Sequence, residues 1–469
     1  MEDSNKKPDK REPASTPVAP SRSKVLEDAY LKFESSIVCQ NGQPNTYAHL
    51  PHFNGNKSQP IHRWFTYKEG FSSELLSWVC KATNKDLNDI ESLLDPYLGV
   101  ATSLLSAQLT YRGSHNLTLV GVERNPFAAF ASRTKLKWQS YDPDKISTLI
   151  PTLIEAIKNR NVKFELVDLS TIQDQRIFNR RRLQDLLFAR HVIAETLVDV
   201  AEHDFFLLGW ASIIEVVSNV RKDGRALRIV DKEDRPPVHA LLESRWREML
   251  DDLHTAANSL KGVTRGLIRT TVYEDDGRTL VALADPDQQF DLILYSPPYL
   301  NNIDYSEVYK LELWLMGLVT SQEEFKTLRL NTFRSHPSVR FHDSDYVESL
   351  GQDGWPRKLV DAIINDLARN DDFRWRSRLI KAYADDMLVS LSSQFVRIKP
   401  GAHVVCVVGN SLHGKKESAT PIATDLIIAA IAQEVGFDIR RLQITRHTNR
   451  RSREHPVRES IIIMQRPRR

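Results

Sequence analysis

Cysteine is scarce in this chain: three occur among 469 residues, Cys39, Cys80 and Cys406, and no two form a C-x-x-C pair. That spacing excludes a disulfide framework and a thiolate zinc site, and no metal is expected. Long apolar runs are missing as well. None reaches the roughly eighteen residues that read as a membrane span, and the opening MEDSNKKPDKREP is no secretory signal. A cytoplasmic protein with no membrane partner is therefore expected. Charge of one sign is also lacking, since 64 basic residues face 61 acidic ones for a net +3. Any contact with a polyanion must come from local basic clusters rather than from the chain as a whole. No repeat is visible, and a chain this long can bury an ample core.

Against these absences stands the segment Phe290 to Tyr299, FDLILYSPPY, in which an apolar strand runs into Ser296, Pro297, Pro298 and Tyr299. The exocyclic amine of cytosine or adenine is a poor nucleophile, because its lone pair is delocalised into the ring. Acceptors held at a strand end can draw that pair out. The Ser296 hydroxyl and the Pro297 carbonyl are two such acceptors, and Tyr299 offers a flat face to an extruded base. Consecutive prolines stiffen the loop and leave carbonyls without a competing N–H. The plainer reading is a strand closed by a Pro-Pro turn.

A second pattern lies some two hundred residues earlier. LLDPYLGVATSLLSA from Leu93 and LTLVGVERNPF from Leu117 read as strand, Gly-containing turn, helix, second strand and terminal acid. Such a unit holds a nucleoside in an open α/β sheet: the turn brings backbone N–H groups to the ligand and the acid, Glu123, accepts from ribose hydroxyls.

Together the two patterns resemble the amino-group DNA methyltransferases that use S-adenosylmethionine, over roughly residues 50 to 465. The family's loop Asp-Pro-Phe-x-Gly-x-Gly-Thr is matched by Asp95, Pro96, Tyr97, Gly99 and Thr102, with Ala101 where a second Gly is usual. HRWFTYKEGFSSELLSWV, from His62, is similar to the motif that caps the methionine end of the cofactor, bringing in Phe71 and Ser72; Ser72 or Ser73 is expected to cap the following helix. Asp276 in YEDDGRTL matches the acid at the cofactor's adenine amine, and Asn125 follows Glu123. The resemblance implies a doubly wound Rossmann-like methyltransferase sheet and S-adenosylmethionine as cofactor. It implies methyl transfer to the amine of a flipped base in double-stranded DNA. Ser at the first motif position leans toward cytosine N4; adenine N6, a base amine in RNA, and an inactive DNA-binding protein are the alternatives. A cognate restriction endonuclease or defence-system proteins are the candidate partners. Cytosine C5 methylation is disfavoured, because that related family needs a thiolate usually preceded by proline, and all three cysteines here follow valine.

The expected organisation is a disordered tail over 1–24, the cofactor half of the methyltransferase domain over 25–139, a largely helical inserted domain over 140–262, and the catalytic half over 263–469. The insertion is the expected DNA reader, with 319–380 the second choice. Its basic residues Arg176, Arg180, Arg181, Arg182, Arg221 and Arg225, together with the arginine-rich stretch 440–469, suit phosphate contacts, although a solvated face explains such runs equally simply. Asn301, Asn302 and Tyr305 are expected at the base pocket, and Asp291 in a structural role. A helix from about Pro421 to Val435 and a closing strand Ser460 to Met464 complete the expected sheet.

Overall fold

The computed structural model describes residues 24–41, 46–159, 176–222, 227–232, 235–300, 303–337, 353–368, 373–413, 419–448 and 457–468. Residues 1–23 of the expected tail, and Arg225, Asn301 and Asn302, lie outside them.

Short runs of apolar residues buried on both faces mark the strands of a covered parallel sheet. Eight strands form it: β1 (Cys39–Asn41), β2 (Ser92–Asp95), β3 (Leu117–Val122), β4 (Ile268–Tyr273), β5 (Phe290–Tyr295), β6 (Ile398–Gly409), β7 (Asp438–Thr448) and β8 (Val457–Gln465). Their order is β1-β7-β8-β6-β5-β2-β3-β4. Strands β4, β3, β2, β5 and β6 are mutually parallel, and β8 runs antiparallel between β6 and β7. Alternate residues serve two cores. Leu93, Leu119, Leu292 and Val405 face one, and Leu94, Val120, Ile293 and Val404 the other. Helices cover both faces, so the sheet is doubly wound and Rossmann-like, as expected.

The chain steps outward from β2 to β3 and β4, then returns to place β5 on the other side of β2. The strand order thus reverses between β2 and β5. In open α/β sheets a crevice forms beyond the carboxyl ends of the strands at such a point. The two segments singled out in the sequence, 95–102 and 296–299, leave those two strand ends.

Between β3 and β4 the chain forms helices Pro143–Lys158, Arg180–Thr196, Val200–Ser212 and Val238–Ser259, with a small antiparallel hairpin pairing Val220–Lys222 with Leu227–Ile229. The hairpin was not among the expected elements, although Asp223-Gly224 between its strands is a turn signal. Buried residues of this insertion, such as Phe205, Trp210 and Trp246, belong to the same apolar cluster as Leu93 and Leu292 of the sheet. Asp252 ties the two further: it accepts from the Ile61 backbone N–H at 2.9 Å, from Trp64 Nε1 at 3.1 Å and from Arg63 Nη2 at 2.6 Å. The late helix is Thr424–Val435, three residues shorter at its start than expected, and ends at Gly436 with φ 112°, a left-handed position that glycine adopts without strain. Strand β7 was missed, because IRRLQITRHT alternates apolar with basic residues and looks like a surface cluster.

Candidate functional site

A cleft occupies the crevice, with about 1010 Å³ of atom-free space that includes part of its open mouth. Both segments line it: Pro96, Tyr97, Gly99 and Thr102 from the β2 turn, Glu123 and Asn125 from the end of β3, and Ser296, Pro297 and Pro298 from the end of β5. Phe71, Asp276 and Tyr305 complete the predicted set that reaches it.

The turn after β2 is built from its own side chains. Gly99 has φ 54°, and a Cβ there would stand 3.1 Å from the Tyr67 ring, so both conformation and space ask for glycine. Ala101 also takes a left-handed conformation, φ 67° and ψ 34°, where it opens helix Thr102–Thr110. An L residue there costs roughly 1–2 kcal/mol relative to glycine. Ala101→Gly is therefore expected to leave the turn in place and to raise thermal stability or leave it unchanged, glycine's larger unfolded-state entropy offsetting part of the relief. A clear fall in melting temperature would contradict the strain.

Glu123 organises the turn. One carboxylate oxygen accepts the Gly99 N–H at 2.8 Å and the other the Asn125 N–H at 2.7 Å. Burial pushes its carboxyl up to about 7, against the lowering effect of those N–H groups. Asn125 caps helix Pro126–Leu136, its side-chain oxygen accepting from Phe127 N at 3.0 Å and Ala128 N at 3.3 Å, and Pro126 supplies the first-turn φ.

Two predicted cofactor residues do not reach the cleft. Asp95 is buried beneath the turn, accepting from Tyr97 N at 3.0 Å and from the Ser103 hydroxyl. It braces the loop from below, and burial pushes its carboxyl up to about 7. Ser72 is buried away from the cleft, with its N–H on the Leu50 carbonyl at 2.9 Å and its hydroxyl accepting from Glu74 N at 3.2 Å. Helix Leu75–Ala82 starts after Glu74, whose own side chain does not cap it, and the Ser72 hydroxyl takes the Glu74 N–H at its entrance. Asp276 lines the cleft but is shared. Arg278 donates to it through Nη2 at 2.7 Å, and although burial raises its carboxyl, the Arg278 guanidinium and the charge of Arg124 bring it below the usual carboxylate range.

At the β5 end, Ser296 Oγ donates to the Val407 carbonyl at 3.0 Å, so towards other groups its oxygen acts as an acceptor, and the Tyr299 hydroxyl also lies within its reach. Tyr299 is not among the cleft-lining residues. Its ring lies against Gly409, where a Cβ would come within 2.9 Å of it, and its backbone N–H donates to Tyr305 Oη at 3.3 Å. Tyr305 is the aromatic side chain that does line the cleft at this end. Asp291 accepts from Glu91 N at 3.1 Å and Ser92 Oγ at 2.9 Å, pinning β5 to β2 in the structural role expected of it.

Sequence reasoning missed Tyr67, Glu69, Arg278, Phe333, Ser335 and His336, all of which line the cleft. Tyr67 and Glu69 stand in the stretch read as a cofactor cap, and their signal was present but unassigned. Tyr67 stacks on Tyr309 with centroids 4.8 Å apart, and Tyr309 Oη donates to Glu69 at 2.6 Å. Lys222 of the insertion's hairpin lies 4.2 Å from the Tyr309 ring centroid and pairs with Glu312, so the insertion adjoins this wall of the cleft.

The basic clusters divide. Arg176, Arg180, Arg181 and Arg221 are exposed, whereas Arg182 donates inward to the carbonyl of Pro236 at 3.1 Å. Among the described C-terminal arginines, Arg458 is largely buried and pairs with Asp425 at 2.7 Å and Glu34 at 2.9 Å, whereas Arg440 is exposed beside Asp438 at 3.2 Å; Arg450, Arg451 and Arg453 lie outside the described residues. Arg182 and Arg458 are thus corrected from candidate phosphate contacts to packing contacts.

A reversed-order α/β sheet thus gathers a Gly turn, an acid and a Ser-Pro-Pro segment around one cleft. Along most of its length the chain is similar to Type II methyltransferases. It is 24% identical over 444 residues to Type II methyltransferase M.BsoBI of Geobacillus stearothermophilus, covering 87% of this chain and 84% of that protein. M.AvaI of a Nostoc species is 24% identical over 417 residues, 84% of this chain and 82% of that protein, and M.MvaI of Kocuria varians 23% over 397 residues, 82% and 83%. No protein-family model matches the chain. A solved rRNA methyltransferase, aviRa from Streptomyces viridochromogenes, aligns at 11% identity with a TM-score of 0.28 over 90% of this chain and 96% of that one, too distant to bear on function.

Among the described residues no helix is long and apolar enough to cross a membrane, and no group of three or more His, Cys, Asp or Glu is placed to hold a metal ion. The cleft suits a nucleoside sulfonium: apolar Leu98, Val122 and Phe333 line it beside an acid that still has lone pairs to offer.

Proposed function

We propose that the chain transfers a methyl group from S-adenosylmethionine to an exocyclic amine in DNA, cytosine N4 being the favoured acceptor. The observation that carries this reading is the single cleft shared by the Gly99–Glu123 turn and Ser296–Pro298. Similarity to Type II methyltransferases supports DNA as the substrate and a restriction endonuclease as the partner. When bound, the cofactor supplies an electrophilic methyl on sulfur. Glu123 would take the ribose hydroxyls, the 97–99 backbone and Phe71 would hold the remainder, and Asp276 would share its carboxylate between Arg278 and the adenine amine. Ser296 Oγ and the Pro297 carbonyl would accept the two amine hydrogens, localising the lone pair for direct in-line attack. Tyr305, with Tyr299 behind it, would flank the extruded base. The chain's three thiols support amine rather than C5 chemistry: burial pushes Cys39 up to about 12 and Cys80 up to about 11, and Cys406 is raised further still by burial, so none is a ready thiolate. Labelled methyl transfer to unmodified duplex DNA and to folded RNA, assayed in parallel, tests the reading. Label in DNA is expected, and label in RNA alone would overturn it.

The Glu123 carboxyl gives this function a pH signature. A carboxyl raised to about 7 in the folded protein contributes stability that is full below the ordinary carboxylate range and lost as pH rises through about 7. Ribose hydroxyls donate to the ionised form, so cofactor affinity should move the opposite way. It is expected to rise up to about tenfold per pH unit below 7, level off above, and be accompanied by proton release. Calorimetry across pH, with Glu123→Gln as the flat control, checks this; a pH-independent affinity in the wild type would contradict it.

The insertion is the proposed DNA reader, because its hairpin adjoins the Tyr67–Glu69 wall of the cleft. Charge reversal at Arg180, Arg181 and Arg221 should make duplex binding less sensitive to salt, by about 0.9 in the log–log slope for each phosphate that is no longer neutralised. Identical slopes in wild type and variants would return these arginines to a solvated face.

A further inference from the structure

The segment Thr332–His336 forms a wall of the cleft that neither sequence pattern covers, with Thr332, Phe333, Ser335 and His336 all lining it. It is held firmly at both ends. The Arg334 backbone N–H donates to Asp386 at 2.8 Å and its guanidinium to the same carboxylate at 2.7 Å. His336 Nδ1 lies 3.6 Å from Asp304, which Arg329 also holds at 2.8 Å. Between these anchors Ser335 is fully buried, and its hydroxyl has no hydrogen-bond partner among the described residues.

A buried hydroxyl without a partner costs free energy that folding alone does not repay. Its place says which ligand would satisfy it. Phe333, two residues earlier, packs on Tyr97 at 5.9 Å, while His336 adjoins Asp304, the cap of the short helix carrying Tyr305 and Ser306. The wall therefore runs from the cofactor turn to the Ser296 end, and Ser335 stands toward the latter. Cytosine and adenine share one pattern there: an amine beside a ring nitrogen that accepts. Thymine and guanine carry a carbonyl beside an N–H.

We propose that Ser335 is a base-reading residue, its hydroxyl donating to the ring nitrogen next to the amine that Ser296 and Pro297 accept. This rests on the methyl-transfer reading above. Paired with those two acceptors, the donor selects amino bases over keto bases at the point of chemistry. The hydroxyl is part of the wall before any substrate arrives, but it is fully buried there, so the wall must give slightly for the base to reach it.

The test is Ser335→Ala in the full chain, with three measurements: cofactor affinity by calorimetry, melting temperature without ligand, and rate of labelled methyl transfer to unmodified genomic DNA. Cofactor affinity should be unchanged, kcat/KM for DNA about threefold to tenfold lower, and the free protein more heat-stable by about 1–2 °C, because the variant no longer buries an unsatisfied group. A variant that methylates at the wild-type rate overturns the assignment. So does one that binds the cofactor more weakly, which would move the hydroxyl to the cofactor's side. If the wild-type chain itself methylates no nucleic acid, the methyl-transfer reading fails instead, a result distinct from either.

Discussion

Ser296→Ala is expected to slow methyl transfer by about 10²-fold or more while cofactor affinity stays within twofold, on the scale seen when one preorganised hydrogen-bonding group is removed from a reacting centre. The hydroxyl proton is already committed to the Val407 carbonyl at 3.0 Å. Its oxygen can therefore serve only as an acceptor, which is what an amine with a conjugated lone pair requires. Alanine removes that acceptor and leaves the amine flatter and less nucleophilic. It also unties the loop from β6, at a cost of about 0.5–1.5 kcal/mol in stability, so melting temperature must be followed alongside rate. A fluorescent base analogue at the target position should brighten with the variant much as with wild type, since base extrusion does not depend on this oxygen. In Tyr299→Ala the brightening should be weaker only if that ring reaches the base, and its position against Gly409 makes Tyr305→Ala the more sensitive variant. Wild-type turnover by Ser296→Ala, with the fold intact, would reduce Ser296–Tyr299 to a turn.

Glu123→Ala should weaken cofactor binding by about 1.5–3 kcal/mol, a factor of roughly ten to a hundred and fifty, since hydrogen bonds to a charged acceptor carry that much. The loss has two sources. One is the acceptor for the ribose hydroxyls, and the other is the anchoring of Gly99 N and Asn125 N, which the same carboxylate holds at 2.8 and 2.7 Å. Glu123→Gln separates them, because an amide oxygen can still accept one N–H but carries no charge and does not titrate. The glutamine variant should keep the turn and lose only part of the affinity. Unchanged affinity in the alanine variant would mean that Glu123 serves the loop alone.

Where the two loops meet was legible in the sequence, because each is a local pattern: an apolar strand followed by residues that can only be a turn. What the sequence could not show is where a polar side chain spends its hydrogen bonds. Asp95 and Glu123 both stand at a strand's carboxyl end, yet Asp95 turns under its own loop to Tyr97 and Ser103 while Glu123 faces the cleft. The arginines fail for the same reason at longer range. Arg458 meets Glu34 across 424 positions, a pairing that no local window contains. Strand β7 was hidden by its arginines, and Ser335 by lying in a polar segment without periodicity. The sheet itself was more readable than its decoration, since burial on both faces leaves continuous apolar runs in β2, β3 and β5.

The most direct measurement is the identity of the modified nucleoside in cells. Genomic DNA from cells expressing the chain is digested to nucleosides and read by mass spectrometry beside DNA from cells expressing Ser296→Ala. The account predicts N4-methylcytosine with the wild type and about a hundredfold less with the variant. Finding no methylated amine in wild-type DNA, or finding 5-methylcytosine instead, would contradict it.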